Sequence, residues 1–165
     1  MIAEACGRIR SIVHVVLADT GEDVLTFGPD PETNSIAWLI WHLTGVQDDH
    51  LFEIENEDQL WRSAGWADRF ALPFDRAATG YGQTAEGVGQ VCADASVLAG
   101  YYDAVHSRTI AWLPTLTTAD FSRVVDTRWT PPVTLAVRLV SVLTDDLQHA
   151  GQAGYVRGLA GRAGR

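Results

Sequence analysis

The sequence predicts an all-α protein, an antiparallel four-helix bundle that forms a single domain over residues 1–165. Three observations support this prediction. Apolar residues recur at helical spacing in four long segments, no segment shows a convincing strand alternation, and a long aromatic-rich connection separates the second segment from the third. The composition, 47% apolar and 20% charged, is typical of a globular domain with a sizeable core.

The first helix is predicted over about residues 2–19, where isoleucine, valine and leucine recur at helical spacing. Its longest apolar stretch is interrupted by His14 and is too short to span a bilayer. No small-residue cleavage site follows it. We therefore expect a cytoplasmic protein that does not interact with membranes.

The second helix is predicted to begin at Thr33 or Asn34, either of which can cap it, and to continue to about Ile54. On a helical wheel His42 shares an inward face with four other residues: Trp38, Leu39, Val46 and Asp49. A buried imidazole is costly unless its nitrogens find partners. A backbone carbonyl, a carboxylate or a metal ion would each provide one.

The connection over residues 56–82 contains two tryptophans, two phenylalanines and one predicted short helix near residues 57–63. Long connections of this kind are often functional, so its aromatic side chains would either cover a pocket or form a small additional core. These side chains are Trp61, Trp66, Phe70 and Phe74.

A third helix of about thirty residues is predicted from Thr84 to the residue before Pro114. The chain then crosses to the fourth helix, and Val124, Val125 and Trp129 in this crossing are compatible with a short strand.

The fourth helix is predicted to begin at Thr130, with Pro131 and Pro132 in its first turn, and to end at Gly158. Its apolar residues predict that most of the helix surface is buried. They are Val133, Val137, Val140, Val142, Leu143 and Leu147.

Asp145 and His149 interrupt this apolar pattern four residues apart, which places them on one helix face roughly 5–6 Å from each other. Together with the inward His42 they would provide two imidazoles and one carboxylate. Three protein ligands leave a position open for water or substrate, which is the pattern of a catalytic metal site. Zinc suits this set, and nickel, iron or manganese could also occupy it. Without a metal, the same residues would form a buried hydrogen-bonded cluster.

Two motifs give the chain a resemblance to a known family. They are the run SIAWLIWHL over residues 35–43, and DDLQHAGQ over residues 145–152 followed by Tyr155-Val-Arg157. In these runs the chain resembles the DinB-like superfamily of metal-binding four-helix bundles, which includes the mycothiol-dependent maleylpyruvate isomerase and the bacillithiol transferases.

The usual ligands of that family are a helix-two His and a helix-four His-x-x-x-His or Glu-x-x-x-His. His42 and His149 match the pattern, whereas Asp145 stands where His or Glu is common. The shorter Asp side chain would bring the metal closer to the fourth helix or hold it more loosely. Asp146, three residues before His149, is an alternative ligand.

The resemblance implies a metal-dependent thiol S-transferase or isomerase whose substrates are a small bacterial thiol and an electrophile. All 12 basic residues are arginine, a bias typical of high-GC bacteria, which favours mycothiol as the thiol. The metal would hold the cofactor sulfur as thiolate, so neither Cys6 nor Cys92 is required.

Four further residues have open roles. Asp49 would orient the thiol or the substrate. Gln152 would do the same, or would instead order a ligand imidazole through a hydrogen bond. Asp146 is the alternative metal ligand already described. Arg138 would form an ion pair with an acid such as Asp49 or bind an anionic substrate.

Competing hypotheses are a metal- or ligand-binding stress-response module without turnover, a metal-dependent hydrolase, and a structural domain without metal. The formal net charge of −9 argues against nucleic acid as a partner. The aromatic-rich surface favours a homodimer.

Overall fold

The computed structural model describes all residues from Met1 to Arg165, and the chain is mainly helical, as predicted. The eight α helices are α1 (Ile2–Leu17), α2 (Glu22–Leu25), α3 (Ile36–Phe52), α4 (Leu60–Ser63), α5 (Trp66–Phe70), α6 (Ala85–Gly89), α7 (Ala95–Trp112) and α8 (Leu135–Arg162). Two short strands, β1 (Val124–Asp126) and β2 (Val133–Thr134), form an antiparallel hairpin. Single 3₁₀ turns occur at Glu53–Glu55, Leu113–Thr115 and Asp120–Ser122.

The four long helices pack in a closed cycle, in which α1 and α3 each contact both α7 and α8. The contact between α3 and α8 is the most extensive of these. A single core of 30 buried residues lies between the helices. No helix combines the length and the apolar character that crossing a bilayer requires. This packing places residues of α3 opposite residues of α8.

Helix α3 begins later than predicted, because Ser35, and neither Thr33 nor Asn34, is its N-cap. The Ser35 hydroxyl accepts a hydrogen bond from the backbone N–H of Trp38 at 3.2 Å. Of the 17 residues in α3, 13 are buried. Because the helix is buried almost all round, its polar side chains must find partners inside the protein.

The predicted third helix is wrong in length, because the structure divides it into α6 and α7. Thr84 does cap a helix, and its hydroxyl accepts from the N–H of Gly87 at 3.2 Å, but that helix ends at Gly89. Two glycines in five residues explain the break, since each costs about 1 kcal/mol relative to alanine in a helix. The chain then continues without helix until Ala95.

The predicted start of the fourth helix is also wrong. Pro131 and Pro132 precede β2, and Thr134 is the N-cap of α8, accepting from the Val137 N–H at 3.4 Å. The hairpin explains the later start, because pairing Val133 and Thr134 with β1 keeps them extended. The expected strand residues Val124 and Val125 belong to β1, whereas Trp129 lies in the loop and is 65% exposed.

Helix α8 also differs from the prediction at its end and on its surface. It passes Gly158 and continues to Arg162, because Ala160 beyond that glycine is fully buried. Val137, Val140 and Leu147 are exposed rather than buried. Only the opposite face of α8 packs against the rest of the protein, through Leu135, Leu139, Val142, Ala150, Ala153 and Val156.

The aromatic connection between α3 and α6 contains α4 and α5, and its aromatic residues join the main core instead of forming a small additional one. Trp61, Trp66 and Phe70 are part of the main core, while Trp61 and Phe74 also line a cavity of about 210 Å³. The buried Asp48 of α3 anchors this connection, because its carboxylate accepts hydrogen bonds from the N–H groups of Leu60 and Trp61 at 3.0 and 2.8 Å.

Candidate metal centre

The contact between α3 and α8 brings together His42, Asp145 and His149. One ligand atom from each residue lies within 4.8 Å of the other two. The two imidazole rings meet edge to face, with centroids 4.9 Å apart. The three residues that the sequence identifies as candidate ligands therefore form one cluster.

His42 is held from two sides. Its ring stacks on the indole of Trp38, with centroids 4.5 Å apart, and its Nδ1 lies 2.5 Å from the carbonyl oxygen of Thr79. A carbonyl can only accept, so Nδ1 carries the proton and Nε2 keeps its lone pair. Burial lowers the pKa of His42, an effect that the Thr79 hydrogen bond partly offsets. The ring is therefore neutral at pH 7, the form that binds metals.

Gly80 allows the segment that carries Thr79 to approach His42 so closely. Its φ of +90° lies in the region that favours glycine, and a Cβ there would lie 2.9 Å from His42 Nδ1 and 3.0 Å from Trp41 Cζ3. Gln83 fixes the same segment, since its side-chain oxygen accepts from the indole N–H of Trp38 at 2.6 Å. Any other residue at position 80 would displace the carbonyl that orients His42.

His149 is oriented in the same way by its own helix. The side-chain oxygen of Gln152 accepts a hydrogen bond from His149 Nδ1 at 2.8 Å, which leaves Nε2 as the nitrogen with the lone pair. That Nε2 lies 3.6 Å from Oδ1 of Asp145. The interaction with Asp145 raises the pKa of His149, although burial opposes it.

Asp145 has one oxygen that the protein leaves unsatisfied. Burial acts to raise the pKa of Asp145, but the contact with His149 and its charge outweigh it, so the net pKa is lowered. The other oxygen, Oδ2, is buried and has no hydrogen-bond partner. Such a group is costly, and a cation beside it would remove the cost.

These observations fit a divalent cation. For zinc bonds of roughly 2.1 Å, tetrahedral ligand atoms are about 3.4 Å apart, close to the 3.6 Å between His149 and Asp145. His42 completes the set with a modest side-chain movement. Both imidazoles present a free Nε2 and both have a hydrogen-bonded Nδ1, which is the arrangement of metal-binding histidines.

The other predicted site residues lie outside this cluster, with one exception. Asp146 is 2% exposed and is not among the clustered groups, and burial together with Asp145 raises its pKa far above the usual range. Asp49 accepts a hydrogen bond from the side chain of Gln59 in the aromatic connection. Gln152 is the exception, through its contact with His149.

Sequence reasoning missed Thr79 and Gln83. Neither belongs to a periodic segment or a metal-ligand spacing. The glycines on either side of Tyr81 indicate a turn. They do not indicate that the turn closes on His42.

Two cavities lie beside the cluster along α8. The first, about 510 Å³, is lined by His50, Asp126, Arg128, Trp129, Val133, Val137, Arg138 and Ser141. The second, about 460 Å³, is lined by Thr33, Asn34, Leu39, Gly151, Gln152, Tyr155 and Val156. Ser141 of the first cavity lies one turn before Asp145, and Gln152 of the second contacts His149.

The fold and this cluster define a mainly helical protein with a candidate site for a divalent metal ion. The chain belongs to the DinB superfamily, whose family model matches residues 7–153. A solved structure of a conserved protein from Enterococcus faecalis has a similar fold, with a TM-score of 0.89 and 32% sequence identity. The match covers 94% of this chain and 92% of that one. Nothing among the curated proteins matches the chain.

Proposed function

We propose that the protein is an antiparallel four-helix bundle that acts as a metal-dependent thiol S-transferase or isomerase. It would bind a divalent cation, zinc or nickel, through His42, Asp145 and His149, and use mycothiol as its thiol. The observation that carries this proposal is the pair of imidazoles with free Nε2 atoms beside an unpartnered carboxylate oxygen.

A divalent cation at this position would lower the pKa of a coordinated thiol and favour the nucleophilic thiolate at neutral pH. The chain's own residues prepare the site for it. Thr79 and Gln152 fix the tautomers of His42 and His149, so neither imidazole has to change its tautomer before binding. Trp38 shields His42 from water on one face.

The cysteines of the chain support a thiol that comes from outside. Cys6 is buried, and burial raises the pKa of its thiol to about 11, so it is protonated at neutral pH. Cys92 is exposed and does not line either cavity beside the cluster. Neither is placed to act as a nucleophile at the centre.

The first experiment is metal analysis of protein purified without an affinity tag, compared with two neighbouring variants. Asp145→Asn should lose most of the metal, because it removes a charged ligand. Asp146→Asn is the matched control and should retain the metal, since a buried, protonated carboxyl resembles an amide. Equal metal loss in both variants, or a native protein that takes up no metal, would contradict the proposed site.

The second experiment tests the chemistry with the metal-loaded protein. Mycothiol and other small thiols are combined with halogenated aromatic electrophiles, and conjugates are measured by mass spectrometry. Conjugation that is lost in Asp145→Asn supports a transferase. Turnover of the electrophile without any thiol would indicate hydrolysis, and stoichiometric metal without turnover would indicate a binding module; either result would refute the transferase proposal.

A further inference from the structure

One large cavity of the protein has none of the candidate metal ligands in its lining. Its lining includes Ser141 of α8, which lies one turn or about 6 Å before Asp145, and residues of the β1–β2 hairpin. Its volume of about 510 Å³ lies in the range of small-molecule sites, roughly 300–1,000 Å³. The cavity lining and the candidate ligand Asp145 are thus one helical turn apart on α8.

The charged side chains that line the cavity have a positive surplus. Arg128 and Arg138 share a single carboxylate, that of Asp126, at 2.9 and 2.8 Å. His50 contributes no charge at neutral pH, because burial and the nearby Arg138 lower its pKa. In a chain with a formal net charge of −9, this concave surface therefore carries about one net positive charge.

The two arginines have different roles. Arg138 is only 12% exposed and is held through both terminal nitrogens, since its Nη2 donates to Asp126 and its Nη1 lies 3.2 Å from Nδ1 of His50. It ties the hairpin to α8. Arg128 is 71% exposed; its Nε and Nη2 bind Asp126, while its Nη1 makes no hydrogen bond. One edge of this guanidinium is therefore free to bind an anion.

An aromatic side chain that follows Arg128 in the sequence lines the same cavity. Trp129 lines the cavity, is 65% exposed and stacks on no other aromatic ring of the chain. An exposed indole next to an arginine is a combination that recurs in binding sites, because it contributes a large apolar area at low entropic cost. Val133 and Val137 extend the apolar part of the same cavity.

We propose that this cavity binds a planar aromatic carboxylate, with Arg128 recognising the carboxylate and Trp129 contacting the ring. Asp49 and Glu53 lie near enough to act on the charge of Arg128 and so reduce the positive potential there, but neither lines the cavity. The proposal that the cavity binds the anion depends only on the residues that line the cavity. The further proposal that this anion is the electrophile of the reaction rests on the proposed function.

The test compares two probes of equal shape, 2-naphthoate and its neutral amide 2-naphthamide, by isothermal titration calorimetry and ligand-observed NMR. Binding is measured on the full chain, both metal-free and zinc-loaded, so that a carboxylate that simply binds zinc is recognised. The expected result is that the naphthoate binds about tenfold more tightly than the amide in both preparations. This arm does not depend on metal, thiol or turnover, so it can succeed even if the transferase proposal fails.

Two variants and one control test the roles of Arg128 and Trp129 in binding. Arg128→Gln should abolish the preference for the carboxylate, and Trp129→Ala should weaken binding of both probes. Arg8→Gln is the matched control, since Arg8 is 77% exposed, is paired with Glu4 and lies on α1. It should change neither affinity.

Several results would overturn the inference. They are equal binding of the two probes, no binding of either probe, binding of naphthoate only to the zinc-loaded protein, or the same loss in Arg8→Gln as in Arg128→Gln.

Discussion

The carbonyl oxygen of Thr79 accepts a hydrogen bond from Nδ1 of His42, although 37 residues separate the two in the chain. This contact decides which nitrogen of His42 is free to bind a metal. Gln152 does the same for His149 from one turn away on α8. A neutral oxygen, from Thr79 or from Gln152, therefore accepts the Nδ1 proton of each imidazole and leaves Nε2 available as a ligand. Neither tautomer depends on a charged partner.

Gly80→Ala should disturb this preparation of His42. A Cβ at position 80 would lie 2.9 Å from His42 Nδ1, so the Thr79 carbonyl must move away from the ring. We expect metal affinity to fall roughly 10- to 100-fold, measured by competition with a chromogenic chelator. Gly82→Ala is a matched control, because Gly82 also has a positive φ, +70°, but a Cβ there meets nothing within 4 Å. Equal losses in the two variants would show that only backbone strain matters.

Gln152→Leu should weaken the metal site through His149. The substitution preserves the approximate size of the side chain but leaves Nδ1 without an acceptor, so the ring loses its fixed orientation. We expect a decrease in metal affinity of roughly 10- to 100-fold. Gln148→Leu is the control, since Gln148 is exposed on the same helix. Unchanged affinity in Gln152→Leu would mean that the hydrogen bond plays no part in binding.

The pair of Asp145 and His149 should make the stability of the metal-free protein depend on pH. The pKa of His149 is raised from 6.5 and that of Asp145 is lowered from 3.8, each chiefly through contact with the other. The raised His pKa stabilises the fold below pH 6.5 and the effect is lost as the pH rises through the folded value. The lowered Asp pKa stabilises the fold above pH 3.8 and the effect is lost on acidification through the folded value.

The destabilisation caused by Asp145→Asn should therefore be largest at about pH 5.5 and smaller at about pH 8.5. Urea unfolding of metal-free protein at both values measures it. NMR titration should also show His149 titrating above 6.5 and His42 below 6.5. In Asp145→Asn the His149 value should fall. A destabilisation that increases toward alkaline pH would contradict the assignment of the pair.

Asp48→Ala should be the most destabilising of these substitutions. The buried carboxylate accepts from two backbone N–H groups and from the hydroxyl of Tyr101, and alanine leaves all three without a partner. We expect a loss of roughly 3 kcal/mol in the free energy of unfolding, measured with urea. Glu4→Ala, which removes an exposed carboxylate paired with Arg8, should cost less than about 1 kcal/mol. Similar losses in the two variants would show that Asp48 does not anchor the aromatic connection.

Much of the architecture follows from the sequence because helical periodicity is a local property. The four apolar segments predict the helices that pack together, and the spacing of Asp145 and His149 places them on one face of α8. The inward position of His42 follows from its apolar neighbours on the same wheel. These inferences need only the geometry of a single helix.

Other features were decided by contacts between distant segments. Pairing of β2 with β1 delays the start of α8 beyond the prolines, although Pro131 and Pro132 suit the first turn of a helix. Exposure of Val137 and Leu147 depends on which faces of α8 have neighbours, and this cannot be read from an apolar pattern that continues around the helix.

The candidate metal site likewise has features that follow from the local sequence and features that depend on tertiary contacts. The sequence by itself determined which side chains could bind a metal, because ligand chemistry and helical spacing belong to the residues themselves. Only the tertiary structure decided that Asp145 rather than Asp146 joins His42, and that Thr79 and Gly80 close over the ring. The physical reason is that burial and hydrogen-bond partners depend on segments far apart in the chain, which meet only when the protein folds.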